Sequence, residues 1–376
     1  MREGWNKVPL GQIVKFSSGK TKPDQVANAP LNGTSIPVFG GNGILGWAAE
    51  ANADGQNIII GRVGAHCGCV HFHDGPCWIT DNALYSKEFL SDVDRSFLTY
   101  LLELIDLAQF RAAGGQPLVS QGPIHSHVTA LPPLPEQRKI AEILRSWDEA
   151  IDACERLIEQ KKRFIAAVRQ QVFGRDGVPP QKWPSAKLSD LVRRVQRQAD
   201  GEDHPVMTIS GKFGFRRQDE KFARFMAGDS VGRYLLLERG EFAYNKGNSK
   251  TFPQGCIYRL ELDTALVPFV YFAFALSDSL DCEFYAHLFA SGFLNRQLGR
   301  LINSGVRNDG LLNIYAEDFF GCEVPVPPRA VQKQIGELFG LLNSELQGLN
   351  RRLEQLRRQK RGLMQKLLTG EWRVDV

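Results

Sequence analysis

The chain has 376 residues, of which 43% are hydrophobic and 23% are charged, a composition typical of a soluble protein with two or three domains. Its net charge of +4 is compatible with nucleic-acid binding but does not establish it. The longest apolar run, residues 267–276, is too short to span a bilayer, and the first residues lack the apolar stretch of a signal peptide. Seven cysteines without an export signal lead us to expect reduced thiols and a cytoplasmic location.

The first block, residues 1–130, combines many glycines with short β-type runs. Residues 57–60 and 69–72 predict strands that are separated by glycine turns. Residues 95–110 predict a helix, because apolar residues recur there at helical spacing. We therefore expect a β-rich domain that includes at least one helix.

A long helix is predicted over residues 131–174. We expect it to begin after Pro135 and to end near Gly174, because proline favours the first turn of a helix and glycine favours its C-terminal cap. Its apolar residues recur in alternating steps of four and three, which is the spacing of a coiled-coil seam. The positions of this stripe are Ile140, Leu144, Trp147, Ile151, Cys154, Ile158, Lys161, Ile165, Val168 and Val172.

The second block, residues 175–325, restarts the pattern of the first. The sequence that begins at Trp183 is similar to the sequence that begins at Trp5. This block is again β-rich, and its apolar runs predict helices around residues 269–276 and 280–298. We therefore expect a second domain built like the first.

A second long helix is predicted over residues 326–370, followed by a short tail, residues 371–376. Gln332 lies 195 residues after Gln137, and each position of the second stripe lies 195 residues after one of the first. The second stripe consists of Ile335, Phe339, Leu342, Leu346, Leu349, Leu353, Leu356, Lys360, Leu363 and Leu367. The sequence thus predicts an α+β fold with a pseudo-twofold internal repeat, in which two β-rich blocks alternate with two long helices.

Several short motifs resemble those of one protein family. They are Gly4-Trp5 followed by Leu10, residues 36–46, 60–64, 78–83 and 242–246, and above all the proline-rich residues 131–137 that head the first long helix. Together they resemble the specificity subunits of type I restriction–modification systems over nearly the whole chain. The second long helix departs from the family pattern, because Val331 stands where a glutamate usually precedes the glutamine.

The resemblance implies a chain without catalytic or metal-binding residues. Residues 1–130 and 175–325 would be target-recognition domains, each of which reads one half of a split, asymmetric site in double-stranded DNA. The long helices would pair as an antiparallel coiled coil, set the gap between the half-sites and dock two adenine methyltransferase subunits, and endonuclease/translocase subunits would join this core. S-adenosylmethionine, ATP and Mg are expected on the partner subunits and no cofactor on this chain.

Two lysines interrupt the apolar seam. If the helices overlap fully and run antiparallel, Lys360 lies opposite Trp147, and Lys161 lies opposite Leu346 with Glu345 beside it. A lysine over an indole ring contributes about 0.5–2 kcal/mol, which would offset part of the cost of a polar seam residue.

The residue types that read DNA occur where loops could present them. Arginine and lysine recognise guanine and phosphates, and asparagine recognises adenine. The candidates are Ser17, Ser18, Lys20, Lys22, Asn42, Arg62, His66, Lys212, Arg216, Arg217, Asn245, Lys246, Asn248, Ser249 and Lys250. The basic residues Arg193, Arg194 and Arg197 are instead assigned to a helix face.

Other readings of the sequence are weaker. Cys67, Cys69, His71 and His73 share one face of a single strand, which would spread them over roughly 20 Å, too far for all four to bind one metal ion. Two of them could bind zinc together with ligands from elsewhere, but buried thiols and a surface histidine pair are the favoured interpretation. The glycine-rich residues 40–43 lack the lysine that follows in a phosphate-binding loop. The alternatives left open are a type II system with a fused nuclease–methyltransferase partner and a coiled-coil scaffold without DNA binding.

Overall fold

The computed structural model describes residues 4–112, 117–174, 178, 181–211, 213–218, 232–247, 252–302 and 312–375. The chain divides into two compact units. The first unit comprises Met1–Glu155 and Arg351–Val376, and the second comprises Arg156–Asn350. Each unit therefore contains one β-rich block and a part of each long helix.

The first unit contains a four-stranded and a three-stranded sheet. Its strands are β1 (Asn6–Pro9), β2 (Val14–Ser18), β3 (Ile36–Gly40), β4 (Gly43–Ala48), β5 (Gln56–Gly61), β6 (Val70–Asp74), β7 (Trp78–Ile79), β8 (Ala83–Phe89) and β9 (Val128–Leu131). The larger sheet has the order β2-β8-β5-β6 and the smaller one the order β4-β3-β7. The predicted strand at residues 57–60 is confirmed as the central part of β5, whose buried isoleucines enter the core of this unit.

The helices of the first unit are α1 (Arg95–Ile105), α2 (Gln121–Ser126) and the first part of the long helix α3 (Leu134–Phe173). The Asp94 side chain caps α1, since it accepts a hydrogen bond from the Phe97 backbone N–H (2.8 Å). The predicted helix over residues 95–110 is shorter than expected, because Asp106 adopts a left-handed conformation with φ of 53°. A short 3-10 helix, Leu107–Phe110, follows this break.

The second unit is built from shorter strands. They are β10 (Ser185–Lys187), β11 (Val192–Arg194), β12 (Met207–Ser210), β13 (Gly214–Arg217), β14 (Leu235–Glu238), β15 (Phe242–Asn245), β16 (Cys256–Arg259), β17 (Thr264–Val267), β18 (Phe272–Leu276) and β19 (Glu323–Pro325). The sheet β11-β18-β15-β16 is its largest among the described residues, with β12-β13 and β14-β17 as separate pairs. In each unit, the first strand of the block pairs with the strand that precedes a long helix: β1 with β9, and β10 with β19.

The helices of the second unit are α4 (Leu188–Leu191), α5 (Cys282–Ala290), α6 (Asn295–Leu301), α7 (Ala316–Phe320) and the first part of α8 (Arg329–Leu368). The predicted helix at residues 269–276 is wrong. Phe272–Leu276 is strand β18, which hydrogen-bonds to β11 on one side and β15 on the other. A short run that is buried in a sheet has no polar face from which its period could be read. The predicted helix at residues 280–298 is interrupted by Gly292, whose φ of 75° is left-handed.

The long helices α3 and α8 have 40 residues each and run antiparallel within each unit. In the first unit Asp148 contacts Lys360 (2.6 Å) and the later residue Glu155 contacts the earlier residue Arg357 (2.6 Å). In the second unit Lys161 forms an ion pair with Glu345. The predicted antiparallel coiled coil is therefore confirmed.

Every position of the two stripes is buried or half-buried. In the first unit Ile140 and Leu144 belong to the same apolar core as Leu367. In the second unit Ile165 belongs to a core with Phe339. The remaining apolar seam residues are Trp147, Ile151, Ile158, Val168, Ile335, Leu342, Leu346, Leu349, Leu353, Leu356 and Leu363. Burial of the narrow stripe is what holds two helices with otherwise polar surfaces together.

The seam lysines differ in their partners. Lys161 pairs with Glu345 as expected, whereas the predicted contact of Lys360 with Trp147 is wrong. Lys360 instead binds Asp148 and lies over the Tyr100 ring, 4.9 Å from its centroid. Burial and a hydrogen bond to Asp148 (2.7 Å) raise the pKa of Tyr100. The sequence could not show this contact, because Tyr100 comes from α1 and not from either long helix.

One glutamine in each repeat fixes a block to its long helix. Gln137 accepts a hydrogen bond from the Asp94 backbone N–H (2.9 Å) and donates one to the Pro132 carbonyl (2.8 Å). Gln332 does the same with Asp281 (2.9 Å) and Pro327 (2.8 Å). Since Asp94 caps α1 and Asp281 caps α5, the two glutamines tie equivalent helices to α3 and α8.

Glu136 occupies a position that has no counterpart in the second repeat. Its buried carboxylate accepts hydrogen bonds from Trp5 Nε1 (3.1 Å) and from Nε (2.6 Å) and Nη2 (2.9 Å) of Arg373 in the tail. Trp183, the equivalent of Trp5, instead donates to Gln181 (3.0 Å). Val331 stands at the equivalent position of the second repeat, and its side chain can accept no hydrogen bond. Among the described helices none is long and apolar enough to cross a membrane.

Candidate nucleic-acid interface

Two loops of the first unit meet backbone to backbone, because glycines stand at the contact. A Cβ on Gly41 would lie 2.3 Å from the Val63 carbonyl oxygen, and a Cβ on Gly61 would lie 2.2 Å from the carbonyl oxygen of Gly41. No side chain fits at either distance. The turn that carries Asn42 is thereby held against the loop that carries Arg62.

Asn42 and His66 line the same cavity, which has a volume of about 340 Å³. Both side chains are exposed. Arg111 stands on the cavity wall, but so do Glu103 and Asp106, and burial raises the pKa of Glu103. The acidic residues disfavour a phosphate here, so this cavity suits a base edge with amino donors better than the DNA backbone.

A second cavity of about 330 Å³ is formed around Arg62 and Ser18. Arg62 Nη1 donates to Ser18 Oγ (3.1 Å) and to the Asp81 carbonyl (3.3 Å), which orients the guanidinium. Ser120 and Gln121 complete the wall, and neither was among the sequence candidates. Sequence alone could not identify these two residues as part of the site, because Gln121 at the start of α2 is far from Arg62 in the sequence and comes near it only in the folded domain.

The other candidates of the first unit belong to β2 or to the residues just after it. Ser17 is half-buried in β2, next to Ser18, and Lys20 and Lys22 are exposed just beyond the end of this strand. The Lys20 backbone is fixed by hydrogen bonds to Ile79 and from Asp81. Flexible cations on a fixed backbone are suited to phosphate contacts, which position a duplex but do not read its sequence.

In the second unit, the side-chain amide of Asn245 makes two hydrogen bonds within the protein. Nδ2 donates to the Ile209 carbonyl (3.0 Å), and Oδ1 accepts from the Gly247 N–H (2.9 Å). These bonds connect the end of β15 to β12. Asn245 therefore shapes the loop, and its role in base contact stays a prediction.

Three basic candidates of the second unit are described. Lys246 Nζ lies 5.0 Å from the centroid of the Phe272 ring, and the guanidinium of Arg216 lies 5.1 Å from that of Phe213. Arg216 and Arg217 are exposed at the end of β13. The other candidates of this block, Lys212, Asn248, Ser249 and Lys250, lie outside the described residues.

The assignment of Arg193, Arg194 and Arg197 to a helix face is wrong. Arg193 and Arg194 belong to the edge strand β11. Arg197 is held by Glu238 (3.2 Å) and by the buried carboxylate of Glu241 (2.5 Å). Over so few residues, the alternation of apolar and basic residues is compatible with the period of a helix and with that of a strand.

The cysteine- and histidine-rich segment is only partly a strand. β6 contains His71 and His73, whereas Cys67 and Cys69 lie in the preceding loop. Burial raises the pKa of the Cys69 thiol and lowers that of His71. Among the residues that the structure describes, no three His, Cys, Asp or Glu side chains are placed to hold a metal ion.

Sequence comparison finds the same kind of domain in other proteins. Residues 2–162 match the family model of the type I restriction modification DNA specificity domain. The type I restriction enzyme EcoprrI specificity subunit of Escherichia coli is 29% identical over 147 residues, which cover 39% of this chain and 36% of that protein. The MjaVIII specificity subunit of Methanocaldococcus jannaschii is 22% identical over 413 residues, covering 99% of this chain and 94% of the relative. The similarity thus extends over the whole chain in the second case only.

Structural comparison agrees on the fold. A crystal structure of a type I restriction–modification S subunit from M. genitalium matches with a TM-score of 0.61 and 15% identity, over 97% of this chain and 96% of that one. A chain from a structure that concerns complex assembly and conformational transition of the type I R-M system matches with a TM-score of 0.59 and 13% identity, over 99% of both chains. At these identities the likeness shows a common fold.

Proposed function

Because the chain belongs to the specificity subunits of type I restriction–modification systems, we propose that it reads a split, asymmetric DNA site, one half with each unit. The observation that carries this proposal is the repeated anchoring of each block. Gln137 and Gln332 make the same two hydrogen bonds and tie equivalent helices to α3 and α8. The two blocks are thus presented in the same way while their loops differ.

In the first unit we assign base contacts to Arg62 and Asn42. The guanidinium of Arg62 is oriented by Ser18 and keeps donors available for the two acceptors of guanine, N7 and O6. Asn42 is exposed at a turn that glycine packing holds in place. Lys20 and Lys22 are assigned to phosphates. The proposed face therefore combines fixed base-reading groups with mobile cations, as sequence-specific binding requires.

In the second unit we assign DNA contacts to Arg216, Arg217 and Lys246. Arg216 and Arg217 are exposed on β13, and Lys246 follows the end of β15. Asn245 couples β15 to β12, and β12 pairs with β13, so the three cations are carried by one connected framework. Asn245 is proposed as a positioning residue.

The long helices are proposed to dock two methyltransferase subunits, which endonuclease/translocase subunits would then join. In support, Leu157, Phe164, Leu338 and Leu341 of the second unit are exposed although they are large and apolar. Leu157 and Phe164 flank Lys161, and Leu338 and Leu341 precede its partner Glu345, so all four lie on one flank of the helix pair. A group of exposed large apolar side chains supports an interaction site at this flank.

We further propose that this chain is not itself an enzyme and acts in the cytoplasm. S-adenosylmethionine, ATP and Mg would bind to the partner subunits. The candidate residues support this division, because they are hydrogen-bonding and cationic groups suited to binding DNA. Methyl transfer by the purified chain alone would contradict the proposal.

The test is to express the chain with its methyltransferase partner and to map methylated adenines in host DNA by single-molecule sequencing. We expect a bipartite motif with a fixed gap between its halves. Arg62→Gln should relax the first half of the motif and leave the second half unchanged. A coiled-coil scaffold without DNA binding predicts no motif that depends on this chain, and that result would refute the proposal.

A further inference from the structure

A cavity of about 700 Å³ lies within the second unit and has no role in the proposed DNA face. Its walls come from β15, β16, the end of α5, the start of α6 and the late part of α3. Four of the fifteen lining residues are aromatic: Tyr244, Phe252, Tyr258 and Phe289. Its volume and its largely apolar lining are those of a small-molecule site.

Arg169 of α3 reaches this cavity without a counter-charge. Its Nε is buried and makes no hydrogen bond, and within the described part of the chain its guanidinium has no acidic partner. Burial lowers the pKa of Arg169, and its surroundings are the rings of Phe339, at 5.9 Å, and Tyr258. Arg169 as a whole is half-buried, and a ligand that supplies negative charge would compensate its partly desolvated guanidinium.

The internal repeat shows that the fold does not require this charge. The position 195 residues after Arg169 is occupied by Met364, which is buried in the apolar core of the first unit. An apolar side chain of similar length therefore satisfies the packing at the equivalent place. The guanidinium of Arg169 is a feature of the first repeat alone that packing does not explain.

The aromatic walls are fixed before any ligand arrives. Tyr244 stacks on Phe319, with ring centroids 4.5 Å apart, and donates its hydroxyl to the Gln254 carbonyl (2.8 Å). Tyr258 donates to the Gly211 carbonyl (2.6 Å). Both hydroxyls are thus satisfied within the protein. Tyr244 is fully buried and stacks on Phe319, so the half-buried ring of Tyr258 is the preformed surface for a flat ligand.

We propose that this cavity binds a nucleoside monophosphate, with the phosphate on Arg169 and the base against the aromatic walls. The planar guanidinium matches two phosphate oxygens at once, and bases stack on aromatic rings. Asn295 in the lining carries an amide group of the kind that pairs with adenine, so AMP is the probe of choice. Arg216, Arg217 and Lys246, which are assigned to DNA contacts, do not line the cavity, and the proposal does not depend on that assignment.

The test measures binding of AMP, adenosine and inorganic phosphate to the full chain by titration calorimetry. We expect AMP to bind more tightly than either of its parts, because it alone satisfies both the cation and the rings. Arg169→Met, which installs the residue at the equivalent position of the second repeat, should weaken AMP binding at least tenfold and leave adenosine binding unchanged. Arg163→Met, the same change at an exposed position of α3, is the matched control and should have no effect.

Two results would overturn the proposal: no heat of AMP binding at millimolar concentration, or equal AMP affinity in wild type and Arg169→Met. Circular dichroism of each variant separates loss of the site from loss of the fold. Competition between AMP and a single-stranded DNA 12-mer distinguishes a free nucleotide from a nucleotide within DNA. If the 12-mer displaces AMP, the cavity takes a nucleotide within DNA, and if AMP stays bound, the cavity takes the free nucleotide; both results support the site.

Discussion

Replacing Gln137 or Gln332 with leucine should loosen one block at a time by similar amounts. Each side chain is nearly inaccessible, at 1% and 2% exposure, and each substitution leaves one backbone N–H and one carbonyl without a partner. An unpaired buried group costs about 1–3 kcal/mol. Since the aspartate N–H is only partly buried in both cases, we expect a loss of about 2–4 kcal/mol for each variant.

Hydrogen exchange with mass spectrometry measures this effect separately in the two units. Gln137→Leu should speed exchange in α1 and leave α5 unchanged, and Gln332→Leu should do the reverse. Gln347→Leu, on the exposed face of α8, is the control and should alter neither helix. Equal exchange in α1 and α5 in either variant, or protection that does not fall, would refute the claim that these glutamines anchor the blocks.

Three further predictions concern single side chains. Arg373→Gln leaves the buried Glu136 carboxylate with Trp5 as its remaining described donor. The free energy of unfolding, measured in urea, should therefore fall by about 3 kcal/mol, and a fall below about 1 kcal/mol would contradict this prediction. Burial, with Arg169 and Arg259 nearby, lowers the pKa of His287 from 6.5 to about 4. The unfolded chain therefore binds a proton that the folded chain does not, so folding stability should fall by up to about 3 kcal/mol as the pH drops through this range. His287→Phe should remove this dependence. Arg62→Lys keeps the charge but loses the two-pronged contact, so affinity for the first half-site should fall by about 1–3 kcal/mol in a binding titration, whereas an unchanged affinity would place Arg62 outside the base contacts.

The repeated long helices were predictable because their signal is one-dimensional. A four-three stripe and its copy 195 residues later require no knowledge of any other element, and the antiparallel pairing follows the family resemblance. The partner of Lys360 was not predictable in the same way. The network that holds it includes Tyr100 from α1, and only the folded block brings that ring to the seam.

The candidate site shows that residue type alone does not identify the residues that contact DNA. Residue type correctly marks Asn245 as a hydrogen-bonding residue in a loop, but its amide is used by Ile209 and Gly247. Composition cannot separate a group that builds a loop from one that faces a ligand, because both need the same chemistry. Buried strands such as β18 were misjudged for a related reason, since a run of five apolar or small residues has no period to read.

Exchange of residues 183–325 for the equivalent block of a related specificity subunit tests the central claim most directly. The recognised motif is read from methylated adenines in cells that carry the hybrid chain and its methyltransferase partner. If each unit reads its own half-site, the hybrid should change one half of the motif and keep the other half unchanged. A hybrid that is active but alters both halves, or neither, would contradict the account.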